Sequence, residues 1–89
     1  MKFNVLEESK SKLVFTLEGE THTFCNLLKE ELQKVKGVEI ASYRIDHPLI
    51  GKPEFLIETK GVEPRKALGV ALKSIKKQAE QFKKDAGSL

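Results

Sequence analysis

Between Lys12 and Glu18 the side chains alternate, with Leu13, Phe15 and Leu17 on one side and Val14, Thr16 and Glu18 on the other. That is the period of a strand with one buried face. Lys2 to Glu8 alternates in part, with Phe3 and Val5 sharing a side, and the polar turn Ser9-Lys10-Ser11 joins the two segments. After Gly19-Glu20 the period changes. Phe24, Leu27, Leu28, Leu32 and Val35 fall in one stripe at helical spacing. Thr21 or Thr23 supplies a hydroxyl to cap the free N–H groups of the first turn. Lys34 and Lys36 suit the negative end of the helix dipole, and Gly37 supplies the left-handed residue that stops the helix.

Val38 to Ile45 and Glu54 to Lys60 read as a third and a fourth strand. The connection from Asp46 to Pro53 carries two prolines and a glycine, which predicts a loop. Pro48 holds His47 extended, so the third strand bends at that corner. A second helix opens at Pro64, where a missing N–H costs nothing, and runs to about Asp85. At roughly 33 Å it outruns strands of roughly 25 Å, so its last turns should overhang the sheet.

The apolar face of that second helix is wider than a sheet requires. Val70, Ala67, Ala71, Phe82, Ile75, Leu68, Ala79 and Leu72 span about 200° of its circumference, whereas a stripe of about 100° suffices to sit on a sheet. Leu68, Leu72, Ile75, Ala79 and Phe82 repeat at spacings of 4, 3, 4 and 3, the seam geometry of helix against helix. Leu72 stands at the edge of the arc, the position expected to be least covered by the chain's own sheet. A surplus apolar stripe on a small domain marks a protein interface.

At 89 residues the chain has room for one domain, residues 1–89. A domain this small buries only about 60% of its unfolded surface, which makes a partner a reasonable expectation. Charged residues form 33% of the chain and apolar ones 39%, a globular balance rather than a disordered one. No apolar run approaches the length of a membrane span or a signal peptide, and a single cysteine fits a reducing interior, so a cytoplasmic location is expected. Charge is uneven. Residues 1–61 hold nine basic and ten acidic side chains, whereas residues 62–89 hold seven basic and three acidic. A basic helix can attract nucleic acid by neutralising phosphates; the plainer reading is a solvated lysine-rich face.

Candidate chemistry is sparse. His22 and His47 are the two histidines and Cys25 is the one thiol. A Cys-His nucleophile pair is conceivable at a helix N-terminus, but a cysteine on an apolar helix is more simply a buried structural residue. Two separated histidines and one cysteine do not supply the close ligand pairs of a zinc site, and no phosphate-cradling glycine run is present. No cofactor and no intrinsic catalysis are expected. His22, Thr23 and Asn26 read as a network around the start of the first helix, and Tyr43 as a strand residue with its hydroxyl at the edge of the core.

The stretch Thr21-His22-Thr23-Phe24-Cys25-Asn26-Leu27-Leu28, then Tyr43 and finally His47-Pro48-Leu49, resembles the core motif of the L-subunit family of archaeal multisubunit RNA polymerases. Phe24 stands where that family usually has Leu, and Cys25 where Gly is common. The order of elements implies an α+β fold, ββαββα, with a four-stranded mostly antiparallel sheet and both helices on one face; the resemblance implies the same. It also implies a non-catalytic assembly subunit that forms a heterodimer with the polymerase's D subunit, helices against helices. The large catalytic subunits and small zinc-binding subunits then assemble on that pair. The interface set so implied is Phe24, Leu27 and Leu28 on the first helix with Leu68, Leu72, Ile75, Ala79 and Phe82 on the second. His22, Thr23, Asn26, Tyr43, His47 and Pro48 serve fold and assembly. Eukaryotic counterparts usually extend further at the N-terminus, which favours an archaeal protein. The alternative is a small basic nucleic-acid-binding module acting on its own through the second helix; a homodimeric small-molecule-binding protein is a third reading.

Overall fold

The computed structural model describes residues 2–45 and 52–87, so His47 and Pro48 lie outside the described residues. Six elements follow in the order β1 (Lys2–Glu8), β2 (Lys12–Glu18), α1 (His22–Lys34), β3 (Val38–Arg44), β4 (Glu54–Thr59) and α2 (Pro64–Gly87). The strands form one sheet in the order β1-β2-β4-β3, and every pairing is antiparallel. Both helices lie on one face of it, α1 above β3 and α2 across β2 and β4.

The alternation of β2 sets that face. Leu13, Phe15 and Leu17 point inward and are buried, while Lys12, Val14, Thr16 and Glu18 remain partly exposed. β4 follows the same rule, with Phe55 and Ile57 opposite Phe15 and Leu13. An aromatic row crosses all four strands on this face. The Phe3 ring meets Phe15 at 5.4 Å, Phe15 stacks on Phe55 at 5.1 Å, and Phe55 stacks on Tyr43 at 5.2 Å. Two irregularities adjust the edges. The register shifts between Val5 and Glu7 in β1, and between Val38 and Ile40 in β3. The extra residue in β3 lets Val38 and Ala41 face the same side, against Thr59 and Ile57.

Of the two threonines able to cap α1, Thr21 does so: its Oγ1 accepts the Phe24 N–H at 3.1 Å from an extended backbone. Thr23 falls inside the first turn. The helix stops earlier than Gly37, since Val35 is already extended and its N–H donates to the Leu32 carbonyl. Gly37 instead makes the turn into β3, at φ +94°, where a Cβ would lie 2.5 Å from Val62 Cγ1 and 3.1 Å from the Lys60 carbonyl. The core is Leu13, Phe15, Leu17, Cys25, Leu28, Leu32, Ala41, Phe55, Ile57 and Ala71.

Candidate functional site

The start of α2 is tied to β1. The Arg65 guanidinium forks onto both Glu8 carboxylate oxygens, which holds Glu8 below the usual carboxylate range. That contact marks the β1 side of the helix. Leu68, Leu72 and Ala79 follow Arg65 at helical spacing, so the seam expected from the sequence runs along this side. Ser74 and Gln78 mark the opposite, α1 side, because both reach Glu31.

Burial along the seam changes at midlength. Pro64, Ala67 and Ala71 are buried, and Leu68, Leu72 and Ile75 are partly buried against the core. From Lys76 onward every described residue is exposed. A helix of 24 residues is about 36 Å long, against roughly 23 Å for the 7 residues of β2, so its last turns have no sheet beneath them. Phe82, two heptads beyond Leu68 on the same line, is 74% exposed for this reason. Beside the seam, Phe3 and Val5 pair with Leu17 and Phe15, which places them on the helix-bearing face, yet they stay 37% and 43% exposed. No helix covers β1 because α1 sits over β3 and α2 over the middle of the sheet.

The individual expectations fare differently. Leu28 is wholly enclosed by the chain's own core and offers no surface to a partner, because α1 turns it straight down onto the sheet. Phe24 and Leu27 are partly exposed. Leu72 is not the least covered position: it packs partly on the core, and the exposed extremes of the arc are Phe82 and Val70. Position along the helix outweighs position around it, because the sheet supports α2 at Leu72 and has ended before Phe82.

His22 and Tyr43 come together from 21 positions apart. The Tyr43 hydroxyl and His22 Nδ1 are 2.9 Å apart, the rings meet edge to face, and Lys29 Nζ lies 5.8 Å from the centre of the Tyr43 ring. This cluster fixes the start of α1 to β3; burial raises the Tyr43 hydroxyl's pKa. Thr23 and Asn26 are exposed on the first turns of α1. Cys25 is fully buried and its thiol pKa is raised, first by burial and then by Glu20, the opposite of an activated nucleophile. Among the described residues no group of three His, Cys, Asp or Glu side chains converges as a metal site, and no helix is long and apolar enough to cross a membrane.

Sequence reasoning missed Glu31. It is 5% exposed between the helices and accepts from Gln78 Nε2 at 2.9 Å, Ser74 Oγ at 3.1 Å and Lys34 Nζ at 3.4 Å. The Gln78 amide foremost, then Ser74 and Lys34, hold its carboxyl below the usual range against the effect of burial. The signal was available: Glu31 sits four residues from both Leu27 and Val35, inside the apolar stripe of α1.

An α+β domain with two helices on one face of an antiparallel sheet, one helix running past that sheet with apolar side chains exposed, defines a class of pairing modules. The model of the RNA polymerase Rpb3/Rpb11 dimerisation domain matches residues 12–85, and the chain belongs to that family. The DNA-directed RNA polymerase subunit Rpo11 of Methanothermobacter thermautotrophicus is 33% identical over 85 residues, covering 96% of this chain and 98% of its own length. Its counterpart in Thermococcus sibiricus is 46% identical over 78 residues, covering 84% of this chain and 82% of that protein. The crystal structure of DNA-directed RNA polymerase subunit L from Thermoplasma acidophilum shares the fold, with a TM-score of 0.87 at 24% identity, covering 98% of this chain and 86% of that one.

Proposed function

We propose that this chain is a non-catalytic assembly subunit of an archaeal DNA-directed RNA polymerase. It forms a heterodimer with the polymerase's D subunit, on which the large catalytic subunits and the small zinc-binding subunits gather, so nucleotidyl transfer and metal binding belong to other chains. The names of the relatives and the dimerisation-domain family support the polymerase setting. The observation that carries the pairing reading is Phe82, a large aromatic on the line of the buried face of α2 and 74% exposed where the sheet has ended.

The partner surface we assign is Phe82, Ala79, Ile75, Leu72 and Leu68 on the β1 side of α2, with Phe24 and Leu27 contributed by α1. A partner helix laid along the overhang extends the core that the sheet leaves unfinished. Covering Phe82 alone removes a large apolar side chain from water, worth about 1.5–3 kcal/mol. Leu28 has no part in this surface, since it is spent in the chain's own core.

Phe82→Glu is the test. It places a charge in the interface without a partner, which costs several kcal/mol there, while a change at so exposed a position costs the free fold no more than about 0.5 kcal/mol. The expected result is loss of the 1:1 complex with the co-expressed D subunit by light scattering, with helical circular dichroism retained. Lys76→Glu, also on the exposed half of α2, should assemble normally. A Phe82→Glu chain that still pairs at wild-type affinity refutes the assigned surface.

A further inference from the structure

The α1 side of α2 carries a second surface, independent of the pairing seam. Val35 after α1, Val62 in the turn before α2, and Ala67, Val70 and Ala71 on α2 line an open groove of about 510 Å³. Val70 is 55% exposed on its α2 wall. Lys34 and Lys36 line it from the α1 end. Along α2, Lys66 and Lys73 flank Val70 four residues before and three after, and Lys77 follows two turns on. An apolar floor is thus rimmed by lysines on both walls. The one carboxylate lining the groove, Glu31, is already occupied by Gln78, Ser74 and Lys34. Among the described residues Lys36, Lys66, Lys73 and Lys77 have no carboxylate within ion-pair distance. Glu63 lines depressions nearer the β1–β2 turn instead.

We propose that this groove docks an acidic protein segment, which lays an aliphatic or aromatic side chain against Val35, Val62 and Val70 and sets its carboxylates on the lysine rim. Both halves of that chemistry are needed. Lysines alone attract any polyanion, but an apolar floor favours a ligand with apolar side chains, and this floor holds no aromatic ring on which a base could stack. The rim contributes steering and sign selection, and the valines contribute affinity. Val70 lies about 160° around α2 from Leu68 and Leu72, so the groove and the pairing seam can be filled at once. The docking segment therefore belongs to a chain or region other than the one that covers Phe82.

The test uses the full chain at physiological salt and a short fluorescein-labelled amphipathic peptide carrying Glu on one face and Leu on the other. Its scrambled form and a DNA duplex serve as comparison probes. Anisotropy should report micromolar binding of the amphipathic peptide, about tenfold weaker for the scramble, with NMR shifts centred on Val35, Val62 and Val70. Val70→Asp and the double variant Lys66→Glu/Lys73→Glu should each weaken binding about tenfold or more. These side chains are exposed, so both variants should keep the wild-type circular dichroism. Phe82→Glu should leave peptide binding unchanged, which separates this inference from the pairing reading. Three results overturn it: no shifts at millimolar peptide, full affinity in Val70→Asp, or a duplex that binds more tightly than the peptide and displaces it from the same residues.

Discussion

The two halves of α2 share one apolar line but differ in circumstance. Both carry apolar residues at heptad spacing among lysines, yet Pro64 to Ile75 is anchored and Lys76 to Gly87 is exposed throughout. The first half uses small residues, Ala67 and Ala71, where the helix presses on the sheet, and fixes its ends with the Arg65–Glu8 pair and the Glu31 network. The second half places Phe82 on the continuation of that line, where no strand lies beneath. A small residue under a helix signals a surface already present; a large one with nothing opposite it signals a surface still to come. The same periodicity therefore gives a buried and partly buried line in one half and a fully exposed one in the other.

The largest expected effect that sharpens this contrast is Ala71→Glu. Ala71 is 1% exposed, so a glutamate there buries an unpaired charge at several kcal/mol, a large share of the total stability of a domain this small. Urea melts should show a chain that is unfolded or close to it, whereas Phe82→Glu melts like the wild type. An Ala71→Glu protein of near-normal stability breaks the division between the halves.

The junction of the two halves is Glu31, and its removal ranks next. Glu31→Ala removes the acceptor that the part-buried Ser74 hydroxyl and the Gln78 amide share, and the exposed Gln78 amide keeps only its contact to Ser74 Oγ, at about 1 kcal/mol per lost bond. The same network has a pH signature. Because the folded carboxyl is depressed, its contribution is complete above the ordinary carboxylate range and is lost as pH falls through the lowered folded value. The acid limb of a stability-versus-pH curve should therefore flatten in Glu31→Gln. An unchanged acid limb removes Glu31 as the pin between helices.

The smallest effect has the opposite sign. Gly69 lies within α2 without a positive φ, and a Cβ there would meet nothing within 4 Å. Gly69→Ala should stabilise the free chain by about 0.5–1 kcal/mol, a modest rise in the urea midpoint. If the proposed complex with the D subunit loses affinity in that variant, a partner backbone packs closely against Gly69.

Much of the architecture was legible in local chemistry. The strict alternation of β2, the threonine cap of α1 and the proline start of α2 each depend on nearest neighbours and on one period, and each lies where the pattern put it. Glu31 was visible as a carboxylate in an apolar stripe, but its meaning required knowing that Ser74 and Gln78, more than 40 positions away, would meet it. The union of His22 with Tyr43 has the same character.

What the sequence alone determined is therefore the list of elements, their faces and the surplus of apolar surface on α2. The physical cause is that backbone periodicity and capping act over a few residues. Which part of that surplus is free was decided by the tertiary structure. The strand order β1-β2-β4-β3 puts β1 at an edge that α2 touches at the Arg65–Glu8 pair while Phe3 and Val5 stay exposed, and α2 continues past the partly buried Ile75 into a wholly exposed stretch. Leu28 and Phe82 carry equally apolar side chains at equally helical spacing. One is enclosed and the other exposed because burial depends on what lies opposite a side chain, and that is set by long-range pairing rather than by any local pattern.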